Sequence, residues 1–140
     1  MSRIFWDTNL FIYLFEDYGQ LSKRASHLRR SMLDRGDQLV TSALTLGEIL
    51  VKPLECGDEE LARQYEQTIT ATSQILPFDN KAARVYARVR SDRAIRPPDA
   101  IQLACAAAAG VDLFITNDVH LHGRHVEGIQ FIVSLERAPL

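Results

Sequence analysis

The sequence predicts an α/β fold in which a central, mostly parallel sheet is covered by helices. Short apolar segments rich in β-branched residues alternate along the 140 residues with longer amphipathic segments, and this order is typical of βαβ units. The segment Asp112–Thr116 (DLFIT) is apolar enough to predict a strand that is covered on both faces. Because no repeat, linker or low-complexity stretch interrupts the pattern, we expect a single domain over residues 1–140.

The first half of the chain contains two predicted strands and four predicted helices. Asn9 is a candidate N-cap for a short apolar helix, and Gly36 and Pro53 mark the ends of later helices. In chain order these elements are strand Arg3–Asp7, helix Leu10–Phe15, helix Leu21–Arg35, strand Gln38–Ser42, helix Thr45–Lys52 and helix Glu59–Thr72.

The second half is organised around a helix that begins at two prolines and leads into the DLFIT strand. Pro97 and Pro98 suit the first turn of a helix, and Asp99 in that turn favours the helix dipole. Gly110 then ends the helix. The other predicted elements are strand Gln74–Pro77, helix Lys81–Arg90 capped by Asp79, and strand Ile129–Leu135 after a His-rich loop over His120–His125.

The composition excludes several classes of protein. A net charge of −2 and a pI near 6.1 argue against a protein that coats nucleic acid, although not against an enzyme that meets it at one site. Neither Cys56 nor Cys105 has metal-binding spacing. Asp7 interrupts the apolar start, which argues against a signal peptide, and no apolar run is long enough to span a membrane. We therefore expect a cytoplasmic protein.

Four carboxylates stand out because they adjoin segments that should be buried. They are Asp7, Glu48, Asp99 and Asp118. Carboxylates beside buried surface are usually paired, hydrogen-bonded or bound to a metal. If several of them converge, they repel one another and raise one another's pKa values, and a divalent cation relieves this repulsion. Ligands that are all oxygen favour Mg²⁺ or Mn²⁺ over Zn²⁺.

Each carboxylate also has a purely structural interpretation. Asp7 could cap a helix, Glu48 could form a capping box with Thr45, Asp99 could complement a helix dipole, and Asp118 could be a turn residue. The carboxyl ends of parallel strands meet at one edge of a sheet, so Asp7 and Asp118 should both lie there. On simple topology Asp99 is nearer the opposite edge, unless the preceding loop crosses the sheet.

Four motifs carry a family resemblance. They are FWDTN around Asp7, TSALTLGEIL around Glu48, PPDAIQLACAAAAG around Asp99 and DLFITND around Asp118. In this order and spacing, the chain resembles the PIN-domain ribonucleases, and most closely the VapC-type toxins of toxin–antitoxin pairs. The resemblance covers nearly the whole chain. It implies a PIN-like three-layer sandwich with a five-stranded parallel sheet and all four carboxylates at its carboxyl edge.

The resemblance also implies an activity and a set of partners. The activity is metal-dependent endonucleolytic cleavage of RNA, with Mg²⁺ or Mn²⁺ held by Asp7, Asp99 and Asp118. Glu48 either binds the metal through water or orients the attacking water. Polar residues that would surround these carboxylates are Thr8, Asn9, Ser42, Thr116 and Asn117. The implied partners are an RNA substrate and a small antitoxin protein, and a homodimer is expected.

Other functions compete with this interpretation. A Mg²⁺-binding phosphotransfer enzyme would have a second aspartate where Asn9 stands, and a receiver-type domain would have a lysine near its end, whereas none follows Lys81. A non-catalytic RNA-binding PIN-like domain would not need all four carboxylates. Five arginines near Asp99 form either a solvated helix face or a strip that contacts phosphates: Arg84, Arg88, Arg90, Arg93 and Arg96.

The run Leu10–Phe15 predicts a surface that binds a partner. All six residues are apolar, and a helix this short cannot turn all of them towards one core. The exposed ones are covered within the domain, by a homodimer contact, or by an antitoxin segment in an apolar groove. We predict Phe11 and Phe15 as the partner-binding residues.

Overall fold

The computed structural model describes residues 2–139, and within them one parallel sheet of five strands is flanked by six helices. The elements are β1 (Arg3–Trp6), α1 (Thr8–Phe15), α2 (Gln20–Arg35), β2 (Gln38–Ser42), α3 (Ala43–Glu55), α4 (Glu59–Thr72), β3 (Gln74–Leu76), α5 (Asn80–Val89), α6 (Pro97–Ala109), β4 (Val111–Ile115) and β5 (Ile129–Val133). The strand order is β3-β2-β1-β4-β5, so β1 lies at the centre. The predicted α/β class and five-stranded sheet are confirmed.

Two apolar cores lie on opposite faces of the sheet and create three layers. Successive side chains of a strand point to opposite faces, so Phe5 enters one core while Ile4 and Trp6 enter the other. Phe5 stacks on Phe114 of β4, with ring centroids 4.7 Å apart, in the core beneath α5 and α6. Trp6 contacts Phe11 of α1 in the core beneath α1 to α4. None of the helices described within residues 2–139 is long and apolar enough to cross a bilayer.

Asp99 lies at the same edge of the sheet as Asp7 and Asp118, which we call the carboxyl edge. Gly110 alone separates α6 from β4, so the helix must run antiparallel to the strand that it precedes. The 13 residues of α6 span about 20 Å, slightly more than the length of β4, and this carries the start of the helix to the carboxyl end of the strand. Simple topology left open the edge at which Asp99 lies, and the structure places it at the carboxyl edge, as the family resemblance implies.

Helices α1 and α3 begin two residues earlier than the sequence predicts, because their caps lie at the carboxyl ends of the preceding strands. Asp7, rather than Asn9, is the N-cap of α1, and its side chain accepts a hydrogen bond from the backbone N–H of Thr8. Ser42 caps α3 by accepting from the backbone N–H of Thr45, so Thr45 is not the cap of a capping box with Glu48. The helix also continues through Pro53, whose missing N–H falls in its last turn.

Candidate active site

Three of the four predicted carboxylates lie together at the carboxyl edge. Besides burial, Asp118 raises the pKa values of Asp7 and Asp99, and Asp7 also raises that of Asp99. The Asp99 carboxyl group lies within hydrogen-bonding reach of that of Asp118. Burial, this contact and the negative charges of Asp118 and Asp7 together raise the pKa of Asp99 from 3.8 to about 6, while Arg96 acts in the opposite direction. Carboxylates brought together in this way have a high affinity for positive charge.

Asp7 is the most firmly held of these carboxylates. It is 8% exposed, and its Oδ1 accepts hydrogen bonds from the backbone N–H of Thr8 at 2.8 Å and from Gln102 Nε2 at 3.2 Å. Its Oδ2 accepts from Thr116 Oγ1 at 2.7 Å. Burial raises the pKa of Asp7 and the charge of Asp118 adds to this effect, whereas the hydrogen bonds that it accepts lower the pKa. Its structural role as a helix cap and its place in the site therefore coexist.

The Thr116 hydroxyl fixes Asp118 relative to Asp7. Besides donating to Asp7, Thr116 Oγ1 accepts from the backbone N–H of Asp118 at 3.0 Å. Asp118 Oδ1 in turn accepts from the backbone N–H of His120 at 3.0 Å, so the predicted turn role of Asp118 is also present. One hydroxyl thus sets the spacing between the ends of β1 and β4.

Glu48 joins the site through a threonine rather than through another carboxylate. It is exposed on α3, and its Oε1 accepts a hydrogen bond of 2.6 Å from Thr8 Oγ1. Thr8 is the first residue of α1 and directly follows Asp7. The carboxylates of Asp7 and Glu48 therefore both lie next to Thr8. This arrangement leaves the Glu48 carboxylate open to solvent while fixing its position.

Gln102 is a site residue that the sequence analysis missed. It is 2% exposed, and its Nε2 donates to Asp7 Oδ1, to Thr8 Oγ1 at 3.2 Å and to Thr45 Oγ1 at 2.7 Å. Its Oε1 accepts from the Ser42 hydroxyl. The Gln102 amide therefore connects α6 by hydrogen bonds to α1, α3 and the end of β2 beneath the carboxylates.

A signal for Gln102 exists in the sequence. It is a strongly polar residue within the apolar run of residues 100–109, three positions after Asp99 and therefore on the same face of the helix. A buried amide needs hydrogen-bond partners, and the groups around Asp7 supply them.

The predicted polar residues divide into two groups. Thr8, Ser42 and Thr116 are buried within the hydrogen-bond network. Asn117 lies at its margin and donates to the Tyr13 hydroxyl at 3.3 Å. Asn9 is exposed on α1, and within residues 2–139 no hydrogen bond connects it to the carboxylates.

The chemistry of these donors fits a hard divalent cation. The side chains that converge offer oxygen atoms, and each of the three aspartates gains from positive charge nearby. In the part of the chain that is described, no three or more His, Cys, Asp or Glu residues form a cage that could hold a metal ion. Mg²⁺ does not need such a cage, because it is usually bound through one or two carboxylates and completes its shell with water and substrate phosphate.

The prediction that Phe11 contacts a partner is wrong. Phe11 is 1% exposed and packs edge-on against Trp6, with ring centroids 5.3 Å apart. The helix α1 lies flat on the sheet, so Leu10 and Phe11 turn inwards while Ile12 to Phe15 remain partly exposed. Phe15 stacks on Tyr65 of α4 at 4.8 Å and retains an accessible face.

The pKa of Asp99 predicts how the stability of the metal-free protein changes with pH. Its pKa rises from 3.8 to about 6 on folding, so the folded state binds more protons between these values. The resulting contribution to stability is fully present below pH 3.8 and is lost as the pH rises through about 6. In EDTA, we expect the free energy of unfolding of the wild type, minus that of Asp99→Asn, to fall over this range. Urea denaturation at several pH values measures the difference, and a rise with pH would contradict the assignment.

Comparisons with known proteins agree on the fold. The sequence family described as the PIN domain matches residues 4–124. No curated protein sequence matches the chain. The structure is similar to VapBC2 from Rickettsia felis bound to a promoter DNA fragment, with a TM-score of 0.75 and 13% identity over 94% of this chain and 98% of that one.

Two further solved structures show the same similarity. One is DNA-bound VapBC from Salmonella typhimurium, with a TM-score of 0.73 and 20% identity over 96% of this chain and 99% of the other. The second is the toxin–antitoxin system VapBC-5 from Mycobacterium tuberculosis, with a TM-score of 0.61 and 22% identity over 95% and 99% of the two chains. At these identities the similarity establishes a shared fold.

Proposed function

We propose that this chain, since it belongs to the PIN domain family, is a ribonuclease that cleaves RNA with the help of Mg²⁺ or Mn²⁺. The observation that supports this proposal most directly is the convergence of Asp7, Asp99 and Asp118 at the carboxyl edge, where burial together with the neighbouring Asp118 and Asp7 raises the pKa of Asp99 to about 6. Ligands of α/β proteins bind at this edge. The family match also favours a nuclease over the phosphotransfer and receiver alternatives.

Each acidic residue has a distinct part in the proposed reaction. Asp7, Asp99 and Asp118 would hold the cation, and the hydrogen bonds to Asp7 fix the orientation of its carboxylate. When bound, the cation supplies an activated water and neutralises the charge that develops on the phosphate. Glu48, open to solvent and oriented by Thr8, binds the cation through water or orients the attacking water.

The proposed activity can be tested with purified protein. We expect cleavage of RNA at internal sites in Mg²⁺ or Mn²⁺, and loss of cleavage in EDTA that is reversed by adding excess cation. Cleavage that persists in EDTA would contradict the metal dependence. A protein that binds RNA but cleaves none in either cation would support the non-catalytic alternative.

We further propose that the chain is the toxin of a toxin–antitoxin pair. Solved structures with the same fold are VapBC complexes, and some of them contain DNA. The partly exposed side of α1 is an apolar surface on which a partner segment could bind, and Val51 and Leu54 of α3 are 51% and 47% exposed. A cationic side chain delivered from such a partner to the carboxylates would block the site. The expected homodimer stays a prediction.

Phe15 tests this partner surface. We expect Phe15→Ser to weaken the complex with a small protein encoded beside this gene roughly fivefold or more, because an apolar contact at the centre of an interface contributes more than about 1 kcal/mol. RNA cleavage by the variant should change much less. Phe131→Ser is the matched control, because Phe131 is an exposed phenylalanine (61%) on the edge strand β5.

Calorimetric titration of the two variants with the partner measures the effect, and thermal melting shows whether each is folded. Equal affinities of the two variants for the partner would contradict the assignment of this surface.

A further inference from the structure

A cavity of about 750 Å³ with a mixed polar and apolar lining opens next to the carboxylates, where β4 and β5 end. We call it the β4–β5 cavity, and its polar lining consists of Arg24, Asn117, His122, Ser134, Glu136 and Arg137. Arg24 comes from α2, and the other residues follow β4 or β5 in the chain. The cavity therefore lies at the carboxyl edge, where α/β proteins bind their ligands.

The charge of the β4–β5 cavity is opposite to that of the chain. Two arginines face one carboxylate, that of Glu136, among the residues that line it, while the chain as a whole has a net charge of −2. Arg24 and Arg137 are exposed, and within residues 2–139 neither guanidinium forms an ion pair. Both guanidinium groups are therefore accessible to an anion, and a guanidinium group pairs well with phosphate oxygens.

The wall of the cavity is continuous with the site described above. Asn117 lines the cavity and directly precedes Asp118. A ring nitrogen of His122 lies 2.7 Å from the Thr116 carbonyl oxygen, and the hydroxyl of the same threonine donates to Asp7. If an RNA phosphodiester is positioned at the carboxylates, the neighbouring phosphates of the same RNA strand therefore lie beside the arginines of the cavity.

Of the five arginines that the sequence suggests as a basic strip, Arg96 is near enough to lower the pKa of Asp99, whereas Arg88 lies elsewhere. Arg88 lines another cavity together with Gly128, which precedes β5, and Ala107 near the end of α6. Both of these residues lie towards the amino ends of the strands. The one loop arginine there, Arg124, is paired with Asp92. The cavity around Arg88 is therefore farther from the carboxylates than the β4–β5 cavity. Part of its positive charge, that of Arg124, is neutralised by Asp92.

We propose that the β4–β5 cavity binds the backbone phosphates that flank the cleaved bond in single-stranded RNA, with Arg24 and Arg137 as the phosphate-binding residues. This inference rests on the proposed ribonuclease function and specifies the path of its substrate. A cationic groove beside an acidic site lets a chain of net negative charge bind a polyanion locally. Glu136 opposes this binding, so its charge limits the affinity.

The experiment measures the binding of a fluorescent single-stranded RNA oligonucleotide in EDTA by anisotropy, so that binding is observed without cleavage. The test variant is Arg24→Gln with Arg137→Gln, and the matched control is Arg30→Gln with Arg63→Gln. The control removes the same charge from exposed positions outside the cavity, one of them on the same helix as Arg24.

We expect the cavity variant to bind RNA roughly tenfold more weakly than the control variant. The logarithm of its association constant should also depend less steeply on the logarithm of the salt concentration than that of the wild type. The slope should be smaller in magnitude by about 1.4, which corresponds to two phosphate contacts of a single strand. Glu136→Gln should bind RNA about two- to threefold more tightly than the wild type, since it removes a repulsive charge. A loss of folding cannot produce this increase.

The outcomes separate this inference from the proposed function. Equal binding by the cavity and control variants, or weaker binding by Glu136→Gln, would overturn the inference even if the wild type cleaves RNA. The predicted differences without any cleavage in Mg²⁺ or Mn²⁺ would support the cavity and contradict the ribonuclease function. Unchanged RNA binding with weaker binding of the protein partner would assign the cavity to that partner and overturn the inference.

Discussion

Asp118→Asn is expected to abolish RNA cleavage, with a loss on the order of 10²–10³-fold or more, because it removes negative charge from the site where positive charge must be held. The substitution should preserve the local fold. An asparagine oxygen can accept from the backbone N–H of His120 as Asp118 Oδ1 does, and the backbone bond to Thr116 is unaffected. We also expect weaker Mn²⁺ binding, since an amide is a poorer ligand than a carboxylate.

The same variant should be at least as stable as the wild type in metal-free buffer near pH 7. The hydrogen bond and charge of Asp118 both raise the pKa of Asp99, so their removal lets Asp99 ionise at lower pH with less repulsion. Thermal melting in EDTA checks stability, titration calorimetry checks Mn²⁺ affinity, and a gel assay checks cleavage.

Asp17→Asn is the matched control for this substitution. Asp17 is exposed, and its Oδ1 accepts from the backbone N–H two residues ahead, as in the turn at Asp118. It lies outside the carboxylate cluster, so its loss should leave cleavage unchanged. If Asp118→Asn cleaves RNA at the rate of Asp17→Asn, Asp118 does not belong to the catalytic site.

Local signals explain why much of the fold is predictable from the sequence. The boundaries of β2 and α4 agree with prediction, and Gly36 adopts the left-handed conformation that ends α2. Asp79 caps α5 as predicted. Each of these features depends on a few neighbouring residues, so periodicity and capping rules are sufficient.

Features that depend on distant parts of the chain were predicted less well. Whether Phe11 is buried depends on Trp6 and the sheet beneath α1, which periodicity within an all-apolar run does not reveal. The start of α3 is a local feature that was also missed, because Ser42 is both the last residue of a strand and the cap of the helix. For Asp99, the one-residue connection at Gly110 contains enough information to place it correctly, because it fixes the direction of α6.

The candidate site shows the same division between local and distant information. Its carboxylates are recognisable from short motifs, but Gln102 acquires its role only when α1, α3, α6 and β2 meet. Four groups contact its amide: the side chains of Asp7, Thr8, Ser42 and Thr45. In the proposed reaction Gln102 is thus a positioning residue, which would act on the cation through Asp7 and on Glu48 through Thr8.

Gln102→Met is expected to weaken Mn²⁺ binding and RNA cleavage by about 10–100-fold, the usual effect of removing a group that orients a metal ligand. Methionine has a similar length and is unbranched, so it fills the space without donating to Asp7 or accepting from Ser42. The polar groups left without their partner should also lower the free energy of unfolding by roughly 1–3 kcal/mol.

A matched control and a separate readout distinguish positioning from simple loss of stability. Gln64→Met makes the same change at an exposed position of α4 and should alter neither the Mn²⁺ affinity nor the free energy of unfolding. Mn²⁺ affinity is measured at a temperature where urea denaturation shows all proteins to be folded. If Gln102→Met is less stable but binds Mn²⁺ as the wild type does, Gln102 supports the fold alone; if its affinity falls while the protein is folded, the amide of Gln102 holds Asp7 in the orientation that the cation requires.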